Sequence, residues 1–163
     1  GELPLVVEDL GDIDETVWKL RDELGYPGMT VLQFGFDEKV PNEHTPCNYR
    51  AESIVYTGTH DCATTLGWWQ AQTEEVRDRL RRYCSSDGND IVWDIIRMAL
   101  ASVSQTAILP MQDVLNLPDQ ARMNTPGTVE GNWSWRLSPE SLKLADHRRL
   151  KAMIELFGRA NRS

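Results

Sequence analysis

Four short apolar runs, "LPLVV" (3–7), "MTVLQFGF" (29–36), "SIVYTGT" (53–59) and "TAILPMQ" (106–112), each stop at polar side chains, and three of the chain's five helical patterns fall between them. Runs of this length, rich in β-branched and aromatic residues, suit strands buried on both faces of a parallel sheet. The order strand, helix, strand, loop, strand, helices, strand, loop, helix is the alternation of an α/β protein. Parallel strands present their C-terminal ends on one side. Glu8 and Asp9, Gln33, His60 and Asp61, and Gln112 and Asp113 are therefore expected to converge on a single site there.

The connecting segments carry helix punctuation. Asp12 or Asp14 can cap a first helix whose Val17, Leu20 and Leu24 share one stripe, with Gly25 placed to end it. Thr73 is positioned to cap a helix reaching about residue 84, "SSDGN" (85–89) interrupts, and a further helix is expected over 90–103. Ser138-Pro139 supplies a cap followed by proline at the first helical position. The stretch 146–157 is amphipathic through Leu150, Met153, Ile154 and Phe157, with Gly158 as its stop. Pro110 fits the fourth run only where strand pairing has already ceased.

A chain of 163 residues is read as one domain, 1–163. Its net charge of -8 would repel nucleic acid and anionic membrane alike, so neither is expected as a partner, whereas a neutral or cationic ligand is open. No run approaches the roughly 18 apolar residues of a bilayer span, and no signal-peptide pattern is present; a cytoplasmic location is expected. Cys47, Cys62 and Cys84, odd in number and without a C-x-x-C, read as reduced thiols.

"IVYTGTHDCATTLGWW" (54–69) brings His60, Asp61 and Cys62 together. With His44 and Cys47 these offer zinc-type ligands, but His60 and Cys62 lie one residue apart where structural zinc sites space a pair by two to five. No G-x-S-x-G, phosphate loop or H-E-x-x-H occurs. Carboxylates remain: Glu8 and Asp61 both end predicted strands, and glycosidic-bond chemistry needs one acid to exchange a proton and another to stabilise an oxocarbenium-like transition state. Equally, Glu8, Asp9, Asp12 and Asp14 would favour the positive end of the first helix and nothing more. Among the six tryptophans, Trp133 and Trp135 would share a face if "NWSWR" were extended, which suits stacking on sugar rings; core or interface packing is the other use of the residue.

The motifs "VVEDLG" (6–11), "GYPGMTVLQFGF" (25–36), "VYTGTHD" (55–61), "TTLGWW" (64–69) and "ARMNTPGTVEGNWSWRL" (121–137) resemble those of the 4-α-glucanotransferases, or amylomaltases, of the α-amylase clan, in order and in spacing. The resemblance implies retaining transfer of α-1,4-glucan segments between maltooligosaccharides on a (β/α)8 barrel without metal or organic cofactor. It implies Glu8 as general acid/base, Asp61 as the residue that grips sugar hydroxyls and stabilises the transition state, His60 as a hydrogen-bond partner at the cleavage point, and Phe34 and Asn124 as cleft-lining residues. Two departures stand out. Cys62-Ala63 replaces a polar pair found in many relatives, and no arginine-x-aspartate motif, which carries the family's nucleophile, is matched.

The fold expected on this basis is α/β, the C-terminal half of a TIM-type barrel with about strands five to eight. Since such a barrel needs about 250 residues, the chain alone is expected to be inactive and its sheet to have open edges. Closure by a homodimer, or by a segment supplying the barrel's first half, would remove that hazard.

Overall fold

The computed structural model of the protein describes residues 5–11, 13–37 and 41–160. Three parallel strands, β1 (Gly28–Val31), β2 (Ser53–Tyr56) and β3 (Thr106–Ile108), form a sheet in the order β1-β2-β3. Met29 lies opposite Ile54, and Ile54 opposite Thr106. The central strand is the apolar one: Ile54 and Val55 are buried, as a strand covered on both faces must be.

The crossover from β2 to β3 contains α2 (Thr65–Ala71), α3 (Glu74–Cys84) and α4 (Ile91–Ala101). In α4, Ile91, Val92, Trp93, Ile95, Ile96, Ala99 and Leu100 are all buried, an apolar arc too wide for a helix with one wet face. It packs against α2, α3, a short helix α5 (Met111–Val114) and the last helix, α7 (His147–Leu156). Arg159, just beyond α7, fastens this layer to the sheet. Its guanidinium donates to the carbonyls of Leu100 at 2.6 Å, Ser102 at 2.9 Å and Ser104 at 3.0 Å, joining the end of α4 to the approach of β3. A small helix, α6 (Pro139–Leu144), precedes α7 and is capped by Ser138.

The N-terminal helix, α1 (Glu15–Glu23), is built by the expected signals: Asp14 caps it, accepting from the Thr16 N–H at 2.8 Å, and Gly25 follows at φ +69°. Its apolar stripe, however, is not buried. Val17, Leu20 and Leu24 stay 39, 54 and 56% exposed, and a cleft of about 440 Å³ lies between α1 and β1, lined by Trp18, Arg21, Tyr26 and Met29 among others.

The sequence reading of strands needs four corrections. Residues 3 and 4 lie outside the described residues, and 5–7 are irregular rather than a strand. The edge where that strand was expected is covered by side chains. Leu32 donates its N–H to the Tyr56 carbonyl on the β2 side, so the alternate N–H groups of Met29 and Val31 point outward; Asp9 accepts from Met29 at 2.7 Å and the His44 Nδ1 from Val31 at 3.3 Å. The second run leaves the sheet after Val31 and tightens into a 3-10 turn at Phe34–Phe36. There a Cβ on Gly35 would fall 2.2 Å from the His44 carbonyl oxygen, so the chain crosses only because the residue is glycine. The third run stops pairing at Tyr56 and the fourth at Ile108, after which Pro110 opens α5 instead of ending a strand. The helix α2, which holds Trp68 and Trp69, was not expected.

Candidate active site

The loop of residues 57–64 carries His60 and Asp61 from the end of β2 to the start of α2, and both its ends are tied to one buried carboxylate. Asp113, 2% exposed, accepts from the Thr57 hydroxyl at 2.5 Å, from the Thr65 N–H at 2.8 Å and from the Thr65 hydroxyl at 2.7 Å. Burial pushes the Asp113 carboxyl above its usual range, and these hydrogen bonds only partly oppose it. Gln33 adds a brace, its amide donating to the Ala63 carbonyl at 3.1 Å. Gln112 donates to the Ala121 carbonyl at 3.2 Å. Gln33, Gln112 and Asp113, expected at a converging site from their positions after apolar runs, are thus buried and brace the loops around it.

Between those anchors the loop turns back, with the Cys62 N–H on the Thr59 carbonyl at 3.1 Å. In this turn His60 and Asp61 face the same way, Nε2 to Oδ1 at 3.4 Å, although neighbours on an extended strand would diverge. Cys62 points inward instead, buried beside the Thr59 hydroxyl at 3.3 Å.

Asn124 closes the site from the following loop. Its side-chain amide donates to Asp61 Oδ1 at 2.5 Å and its N–H to the His60 carbonyl at 3.0 Å. Arg122 bridges the two segments, donating to the Asp61 carbonyl at 2.7 Å and to the Asn124 carbonyl at 2.7 Å. Because Asn124 and His60 both address Oδ1, Asp61 Oδ2 is the oxygen free, among the described residues, to accept from a ligand hydroxyl. The Trp133 ring lies 5.1 Å from that of His60, tilted by 36°. Trp133 adopts φ +57° in a turn, so "NWSWR" is not extended and the expected common face with Trp135 does not form.

Direct contacts thus unite Asp61, His60 and Asn124. Glu8 and Phe34 stand on neighbouring loops, and no hydrogen bond or ring contact among the described residues joins them to that trio. Glu8 is exposed, and its charge reaches Tyr56 at the end of β2, whose hydroxyl is pushed up by burial and further by Glu8. The Phe34 ring meets His44 edge-on at 5.4 Å. Among the described residues no three His, Cys, Asp or Glu side chains converge as a metal ion would require, and no helix is long and apolar enough to cross a membrane. The sequence reading overlooked Arg122, although it stands inside a quoted motif, and Asp113's supporting role, which carries no local signal.

Residues 1–143 match the family model of 4-alpha-glucanotransferase. The chain belongs to that family. It is 46% identical over 161 residues to the 4-alpha-glucanotransferase of Synechocystis sp., covering 96% of this chain and 32% of the relative. It is 44% identical over 163 residues to the enzyme of Thermus thermophilus, covering 95% and 33%. Among solved structures, amylomaltase from Streptococcus agalactiae in complex with acarbose superposes with a TM-score of 0.91 at 39% identity, over 99% of this chain and 33% of that one. The chain therefore has the α/β fold of part of an amylomaltase and spans about a third of the length of the relatives it matches.

Proposed function

We propose that residues 1–163 form the second half of a 4-alpha-glucanotransferase barrel, about strands five to eight, and carry two of the three carboxylates of a retaining transfer of α-1,4-glucan segments between maltooligosaccharides. The observation that supports this most is the constellation of Asp61, His60 and Asn124. A carboxylate held at one oxygen by an amide donor and an imidazole offers its other oxygen, at fixed orientation, to vicinal sugar hydroxyls. Those bonds strengthen as positive charge develops on the sugar ring, which is how a binding group becomes a catalytic one.

In this reading Glu8 donates its proton to the glycosidic oxygen as the bond breaks and recovers one from the acceptor hydroxyl in the second step. Its exposure suits a group that must meet substrate. Phe34 lines the cleft with an apolar surface. A covalent glycosyl intermediate needs a nucleophile about 5–5.5 Å from the acid/base. No matching motif lies within these 163 residues, so the chain by itself is read as inactive.

A non-catalytic reading has support of its own in the bare stripe of α1, which suits a homodimer or a complementary segment of the barrel. One experiment separates the two readings. The chain alone, and a graft in which it replaces the matching third of the Thermus thermophilus enzyme, are incubated with maltotriose and their products resolved. The proposal expects no products from the chain alone, a maltodextrin ladder from the graft, and loss of that ladder in the graft's Glu8→Gln variant. A folded graft that binds maltotriose without turnover would favour the binding module.

A further inference from the structure

Trp133 is placed as a surface tryptophan would not be without cause. Half of it, 52%, is exposed, so it adds little to the core. It nevertheless holds φ +57°, a left-handed conformation that bulky residues rarely adopt. The surrounding loop maintains that conformation: the Trp133 N–H donates to the Met123 carbonyl at 2.6 Å, and Arg136 donates to the Trp133 carbonyl at 2.7 Å. Asn132, one residue earlier, organises the loop through the Thr125 N–H at 2.8 Å and the Thr128 carbonyl at 3.0 Å. The outcome is an indole carried to the rim of the site, with its ring against His60.

We propose that Trp133 is a carbohydrate-contacting residue of this site: packed beside His60, it presents its open surface to a glucosyl unit next to the one bound by His60 and Asp61. This rests on the glucan reading above. The axial C–H groups of a glucose ring carry slight positive charge and fit the negative face of an indole, so a neutral oligosaccharide gains contact area without any charge on the ligand. A chain of net charge -8 suits such a neutral ligand. The contact with His60 also limits the imidazole's freedom, so stacking and hydrogen bonding would act on one oligosaccharide together.

The test is a maltoheptaose titration of the 163-residue chain followed by NMR. It reads the His60 ring signal and the Trp133 indole N–H, the latter assigned by its absence from Trp133→Phe. Both signals are expected to move along one saturation curve. Trp133→Ala should weaken the apparent Kd by roughly three- to tenfold and Trp133→Phe by less, while Trp135→Phe leaves it unchanged. Circular dichroism checks each fold, and Trp133→Phe carries the comparison if the alanine variant unfolds. A His60 curve unaltered by loss of the indole would overturn the role of Trp133 and leave the glucan reading standing. Saturation that moves Trp133 but not His60 would also overturn it, because the two would not share a ligand. If neither signal moves, the glucan reading fails and this inference with it.

Discussion

Helices α1 and α4 both have an aspartate at the N-cap and are used differently. The α4 helix is apolar over a wide arc and buries seven residues, whereas α1 carries a narrow stripe on an otherwise charged helix and buries none. The difference lies in the width of that arc and in what surrounds each helix. The α4 helix lies between the sheet and α2, α3 and α7, whereas α1 lies across a cleft from β1, at a sheet edge whose outward N–H groups are accepted by Asp9 and His44. Amphipathic spacing states which face of a helix should be covered; it does not supply the cover. The same division runs through the site. Asp61, His60 and Asn124 belong to the packed region, anchored through Asp113, while Glu8 stands exposed beside Asp9 at the edge of β1.

The strongest way to break this comparison is to remove the same kind of side chain from each region. Ile96→Ala, at a fully buried position, is expected to cost about 2–5 kcal/mol in urea unfolding. Leu20→Ala, on the bare stripe of α1, should change stability by less than about 0.5 kcal/mol. Equal losses would mean that α1 is packed in solution and that the two regions are one.

A smaller effect sharpens the account of the β1 edge. Burial lowers the His44 pKa, more than the nearby carboxylates of Glu43 and Asp9 raise it, and the neutral Nδ1 accepts the Val31 N–H. Between the lowered folded value and the unfolded one of about 6.5, the unfolded chain binds more protons. His44 therefore favours folding above that window and disfavours it as pH falls through it. The urea midpoint of the wild type should decline on acidification below about pH 6.5, and His44→Gln, which keeps an acceptor but does not titrate, should flatten that part of the profile. Identical profiles would remove the neutral ring from the edge of the sheet.

Much of this was legible in the sequence because it is local chemistry. Asp14, Thr73 and Ser138 cap the helices expected of them, Gly25 and Gly158 take positive φ beyond helix ends, and the last three of the four runs of β residues became β1, β2 and β3 at least in part. Where each strand stops was not legible, since pairing ends where a neighbour turns away. The short α2 escaped because Gly67 weakens its helical signal. Only the fold shows why the glycine is there: a Cβ would come within 2.6 Å of the Asp119 side chain. The motifs located His60, Asp61 and Asn124, but their hydrogen bonds depend on a turn that periodicity cannot reveal. Asp113, a carboxylate after an apolar run, looked like a ligand-facing group for the same reason that Asp61 did. Burial alone separates the two.

The central claim, that Asp61 and Glu8 address one sugar, is tested most directly by a crystal structure of the chain with acarbose. The account predicts a ring hydroxyl on Asp61 Oδ2, with His60 and Asn124 in their present positions and the Glu8 carboxyl turned toward the bridging atom between sugar units. Acarbose bound away from Asp61, or Glu8 directed to the opposite side of the sheet, would contradict it.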